Sequence, residues 1–92
     1  MKNMVVARLK IRALPDAFDH ARTYIVHHPD AHVNLIAIPE FEWSVELAED
    51  ASQNDVEETL VLHLFSEMDE PQATLLASYI SNWIFEDKGA NE

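Results

Sequence analysis

Four of the five histidines, His20, His27, His28 and His32, fall within 13 residues beside Asp16, Asp19 and Asp30, while His63 stands apart. Imidazoles and carboxylates together could hold zinc or manganese. Their spacing argues against it: His20 and His27 would lie two helical turns apart, Pro29 divides His28 from His32, and no unbroken helix carries a His-x-x-x-His pair. His27 and His28 suit instead the C-terminal end of a helix, where positive charge is favoured. No metal or other cofactor is expected.

Carboxylates offer general acid–base chemistry, with Glu42 and Glu46 on one strand face and Glu57 or Glu58 able to approach them. Such a pair needs a cleft that separates the two pKa values, and a 92-residue chain with short connections has little room for one. None of Ser44, Ser52, Ser66, Ser78 and Ser81 sits in a nucleophile-elbow sequence. The absence of cysteine excludes disulfides, thiolate nucleophiles and thiolate metal sites, and a lone glycine, Gly89, excludes glycine-rich phosphate loops. No catalytic residue is assigned, and the chain reads as a non-enzyme.

The acids make better sense as a recognition surface. Glu40, Glu42, Glu46, Glu49, Asp50, Asp55, Glu57 and Glu58 are eight carboxylates in nineteen residues with no lysine or arginine among them, and Glu67, Asp69 and Glu70 follow as a second group, Glu86 and Asp87 as a third. Of the net charge of -11, residues 1–22 hold +3 and the rest -14. Direct nucleic-acid binding is disfavoured by like charge, whereas a basic protein surface, as on a nucleic-acid-binding protein, is attracted. Fixed carboxylates can occupy the places of phosphates, which makes nucleic-acid mimicry the mechanism expected. In gross character, tiny, acidic, cysteine-free and without a catalytic motif, the chain resembles the small phage-encoded inhibitors of bacterial defence, such as anti-CRISPR and anti-restriction proteins. That resemblance is one of composition and implies an inhibitor; it assigns no residues. Phe85 and Leu62 fall off the buried arcs of their helices and would serve as a partner anchor or a homodimer contact. Two alternative classes are a structural or assembly homo-oligomer and a small metal-dependent enzyme.

These groups need elements to position them. Glu40–Leu47 alternates completely, with Phe41, Trp43, Val45 and Leu47 on one face and Glu40, Glu42, Ser44 and Glu46 on the other. A first strand, Asn3 to Ile11, alternates likewise: Val5, Ala7, Leu9 and Ile11 face the core, and Arg8, Lys10 and Arg12 face out. Leu14, Phe18, Ala21 and Ile25 keep helical spacing, predicting a helix from Leu14-Pro15-Asp16 to His28, where Pro29 ends it. His32–Ile38 is a strand with Val33, Leu35 and Ala37 on one side and His32, Asn34, Ile36 and Ile38 on the other, and Pro39-Glu40 turns the chain. Ser52 and Asp55 suggest a capping box, with Asn54 and Glu57 equally good. The helix beyond carries Val56, Leu60, Val61, Leu64, Phe65 and Met68 over a broad arc and ends near Met68. Asp69-Glu70-Pro71 starts a third helix, with Leu76, Ile80, Trp83 and Ile84 inward and Gly89 as its stop, forming an antiparallel pair with the second.

The expectation is one α+β domain over residues 1–92, β-α-β-β-α-α, with a three-stranded antiparallel or mixed sheet of order 1-3-2 and helices covering one face. Order 1-2-3 is the alternative. In the first, Arg8, Lys10 and Arg12 meet Glu42 and Glu46 in a charge ladder on the open face, each pair worth about 0.2–1 kcal/mol. With neither a signal-peptide pattern nor an apolar run near the roughly 18 residues of a membrane span, a soluble cytoplasmic protein is expected.

Overall fold

With a single glycine at Gly89, the turns have to be built from other residues, and proline opens them. Pro15, Pro29 and Pro39 introduce one-turn 3-10 segments at Asp16–Phe18, Pro29–Ala31 and Pro39–Phe41. Each segment closes on a residue in the left-handed region: Asp19 at φ 57°, His32 at 58° and Glu42 at 53°, with His20 also there at 55°. A left-handed non-glycine residue costs about 1–2 kcal/mol. The closing N–H groups bond back to the start of each turn, Asp19 to Asp16 O at 2.9 Å, His32 to Pro29 O at 3.2 Å and Glu42 to Pro39 O at 2.9 Å.

The computed structural model describes residues 8–90, with side chains as far as Glu86, and divides into two compact units, Met1–Asp50 and Ala51–Glu92. In the first unit the three turns join β1 (Arg8–Ala13), β2 (Arg22–His28), β3 (Val33–Ile38) and β4 (Trp43–Ala48) into an antiparallel meander of order β1-β2-β3-β4. The class is α+β, but the expected three-stranded 1-3-2 sheet with three helices is corrected to four strands and two helices. The part of the expected first strand holding Val5 and Ala7 lies outside the described residues.

The largest correction is the helix expected from Leu14 to His28, which is a turn followed by β2. Leu14, Phe18, Ala21 and Ile25 are all buried, as their spacing implied. They meet because the chain folds back, with the Leu14 N–H donating to Ala21 O at 2.9 Å. From Arg22 onward, Thr23, Tyr24, Ile25 and Val26 are β-branched or aromatic and fit a pleated surface better than a helix.

Register then decides which side of each strand is buried. Lys10 pairs with Ile25, Ile25 with Ile36 and Ile36 with Val45, so these side chains share a face. Thr23, Ile25, Asn34, Ile36, Ile38 and Leu47 are buried on it, and Trp43 and Val45 are half-buried there, as their alternation implied. The expected strand over Glu40–Leu47 is shorter at its start, because Glu40 and Phe41 lie in the 3-10 turn and β4 begins at Trp43. On β1 the alternation reads the wrong way: Lys10 and Arg12 lie half-buried on this face, while Leu9 and Ile11 are 58% and 47% exposed on the other. Leu14 is the cause, since its burial at the hairpin places the even-numbered residues of β1 inward. With β1 and β4 at opposite edges, and Glu46 on the Leu35 face, the expected charge ladder does not form. The open face is apolar instead, lined by Leu9, Ile11, Tyr24, Val26, Leu35 and Ala37.

On the buried face of the sheet, Thr23 Oγ1 is a buried polar atom with no hydrogen-bond partner among the described residues. An unpaired buried hydroxyl costs about 1–3 kcal/mol. Thr23→Val keeps the shape and removes the hydroxyl, so it is expected to raise the denaturation midpoint; a lower midpoint would mean that the hydroxyl has a partner in solution.

The second unit is a helix pair, α1 (Gln53–Leu64) and α2 (Glu70–Ala90). Ser52 caps α1, its Oγ accepting from Asp55 N at 3.1 Å, and Asp69 Oδ1 accepts from Gln72 N at 3.1 Å at the start of α2. Such caps contribute about 1 kcal/mol each. Val56, Leu60 and Leu64 are buried on α1, and Ala73, Leu76, Ala77, Ile80, Ser81 and Ile84 on α2. Two expectations are corrected: α1 stops at Leu64 rather than near Met68, leaving Phe65 47% exposed, and α2 continues through Gly89 to Ala90. Ser81 Oγ donates to Glu57 Oε2 at 2.9 Å, and Gln53 Nε2 donates to Asn82 Oδ1 at 2.9 Å, tying the start of α1 to the middle of α2 in antiparallel register. Tyr79 and Trp83, one turn apart, pack as a tilted pair with ring centroids 5.9 Å apart.

Candidate functional site

The carboxylates separate into those already engaged within the fold and those that are not. In the first unit, the Arg22 guanidinium Nε donates to Glu40 Oε2 at 3.2 Å, across the β2–β3 end of the sheet. Partial burial pushes the Glu40 carboxyl up, but hydrogen bonds from its own backbone and from Arg22 outweigh that and leave it below the usual value. Glu49 sits between two histidines, accepting from His27 Nε2 at 3.2 Å on one oxygen and from His32 Nδ1 at 3.1 Å on the other. These bonds, His27 first, hold its carboxyl below the ordinary glutamate range against a smaller opposing effect of burial. Glu42, in its left-handed turn, is exposed, as are Glu46 on the open sheet face and Asp50 after β4.

His27 and His32 are thus engaged with Glu49 across the sheet unit, and two further histidines make local bonds. His20 pairs with Asp16, and His28 Nδ1 accepts from Ala31 N at 3.2 Å within its turn. Neither His27 nor His28 ends a helix, because that segment is β2. Among the described residues, no group of three or more histidines and acids is arranged to hold a metal ion. The depressed Glu49 pKa fixes a sign: its contribution to stability is present above the unfolded glutamate pKa and is lost as pH falls through the lower folded value. Glu49→Gln should therefore lower the melting temperature at neutral pH and make no difference well below pH ~4. A melting difference that persists undiminished in acid would show that the bridge is not ionic.

In the second unit the acids surround something. Asn54, Glu57, Glu58, Val61 and Leu62 on α1 and Phe65 at its C-cap recur at three- and four-residue intervals, and Glu70, Thr74 and Ala77 do so on α2. Between these stripes runs an open groove of about 500 Å3 with an apolar floor. Asn54 marks one end, with Glu57 and Glu58 one turn inside it, and Glu70 lies at the interhelix turn. Glu58 and Glu70 are exposed and Glu57 is half-buried on its bond from Ser81. Asp55, Glu67 and Asp69 are exposed nearby in sequence, Asp69 being occupied as a cap.

The structure therefore brings together Glu57, Glu58 and Glu70 from the expected acidic set and leaves Glu40, Glu42, Glu46, Glu49 and Asp50 as separate features of the sheet unit. Leu62, 70% exposed, lines the groove. Phe85 does not stand out as expected: it is half-buried and engaged in an interaction of its own. Phe65 and Val61, read from the sequence as core, are groove residues. The three- and four-residue spacing on α1 could have revealed them; Thr74 and Ala77 become visible only once α2 is laid beside it.

Among the described residues no helix is long and apolar enough to cross a membrane. Comparison with protein families matches residues 10–86 to a family described as YueH-like protein. No curated protein and no solved structure matches the chain.

Proposed function

The chain belongs to the YueH-like protein family, and from that premise we propose that it is a non-enzymatic interaction protein whose carboxylates engage a basic protein surface. The observation that carries this is the helix pair, in which no lysine or arginine occurs between Ala51 and Asp87 to neutralise Glu57, Glu58, Glu67 or Glu70. Uncompensated charge on rigid helices attracts a cationic partner at a distance and aligns it on approach. Partners built to hold phosphates present such surfaces, so a nucleic-acid-handling protein is the class favoured, with inhibition by occupying its nucleic-acid site as the narrower form. The likeness to phage anti-defence inhibitors is of that narrower form and stands on composition alone. Affinity capture from a bacterial lysate, at low salt and again near 1 M where the Debye length is about 3 Å, tests the reading. Recovery of a nucleic-acid-binding protein at low salt only is expected; empty capture under both conditions would sink it.

Self-assembly is a second reading, favoured by the open face of the sheet rather than by Leu62 and Phe85. Leu9 and Ile11 stand there 58% and 47% exposed beside half-buried Tyr24, Val26 and Leu35. If that face joins two copies, Ile11→Glu should convert a dimer to monomers in sedimentation equilibrium. A wild-type chain that stays monomeric at high concentration removes this alternative.

A further inference from the structure

The groove of the helix pair differs from a merely acidic surface because its floor is apolar and its charges stand toward its two ends. Leu62 and Phe65 are 70% and 47% exposed along it, and Ala77 leaves space on the α2 side. Exposed apolar side chains in a row, rimmed by polar ones, mark a surface that excludes water when covered. Glu58 to Phe65 spans seven residues, about 10 Å along the helix axis.

Charge selects the occupant. Glu57, Glu58 and Glu70 repel an anionic lipid or a nucleic acid, and a second copy of a chain carrying -11 meets the same repulsion. A segment with lysine or arginine at both ends and apolar side chains between them complements the groove. Backbone hydrogen bonding then selects its conformation, since the α1 and α2 amides and carbonyls in the groove walls are already paired within their helices. A peptide lying here has to satisfy its own backbone, and an α-helix does so.

We infer that the α1–α2 groove is a docking site for a basic amphipathic helix of about three turns, apolar at i, i+3 or i+4, and i+7. This rests on the acidic-interaction reading above and adds to it the place and the shape of what binds. The partner's apolar stripe lies on Leu62 and Phe65, one flanking cation reaches Glu57 and Glu58, and the other reaches Glu70.

The test uses the full chain and two fluorescein-labelled peptides of about fourteen residues, built from leucine and lysine alone. In one the leucines follow the helical period; in the other the same residues are scrambled off it. Anisotropy titration should show the amphipathic peptide binding at least about tenfold tighter than its isomer. Leu62→Ser/Phe65→Ser, made at exposed positions and checked by circular dichroism, should erase that preference while leaving a salt-sensitive residue of binding. Equal affinity for both peptides, weakened by salt, would overturn the groove and leave the acidic-interaction reading standing. A preference surviving in the double variant would overturn it too, and so would a wild-type dimer that the double variant dissolves, which would assign the groove to a second copy. Binding of neither peptide at low salt would end both readings.

Discussion

Leu14→Ala should lower the unfolding free energy by about 2–5 kcal/mol, the range for truncating a fully buried leucine, while Ile11→Ala should change it by no more than about 0.5 kcal/mol, as at an ordinary surface position. Leu14 is 1% exposed and Ile11 is 47% exposed. Leu14 is also the point where the first hairpin closes, through its N–H to Ala21 O. Truncation there leaves a cavity under the turn that carries two successive left-handed residues, Asp19 and His20, and that turn has little to spare for repacking. Urea denaturation of the two variants measures the contrast. The reverse order, with Ile11 costly and Leu14 neutral, would put Leu9 and Ile11 in the core and turn β1 over.

That contrast shows where the sequence is legible and where it is not. β4 could be read because Trp43, Val45 and Leu47 are apolar and Ser44 and Glu46 are not, and one face of that strand is buried. The starts of the two helices could be read because Ser52 before α1, and Asp69 and Pro71 at α2, are local signals acting within a few residues of themselves. β1 has equally clean alternation, yet its orientation is decided by Leu14, which lies beyond the strand, and by pairing with a β2 that spacing had presented as a helix. Leu14, Phe18, Ala21 and Ile25 repeat at four, three and four residues, and a tight hairpin that folds Ala21 back on Leu14 buries the same four side chains as a helix would. Turns made without glycine removed the usual marker. The acids could be found by composition, but which of them are engaged depends on partners far along the chain: Arg22 for Glu40, and His27 and His32 for Glu49.

From that division comes the second large effect. Glu58→Lys/Glu67→Lys/Glu70→Lys should weaken binding of a basic partner about 100-fold at low salt, taking roughly 1 kcal/mol for each reversed contact. All three residues are exposed, so the fold is kept; the costs are the exposed bond that Glu58 Oε2 accepts from Asn54 Nδ2 at 3.4 Å and a cation placed near the start of α2, about 0.3–1 kcal/mol at Glu70. Glu40→Gln should leave the same affinity unchanged, because Arg22 already neutralises that carboxylate. Raising the salt should bring wild type and triple variant together, as screening removes what the reversal removed. Titration calorimetry at two salt concentrations against a purified partner, or against the amphipathic lysine–leucine peptide, reads all three outcomes. A triple variant as tight as the wild type at low salt would mean that the helix-pair carboxylates form a solvated face and nothing more, whereas a loss on Glu40→Gln would move the contact to the sheet unit.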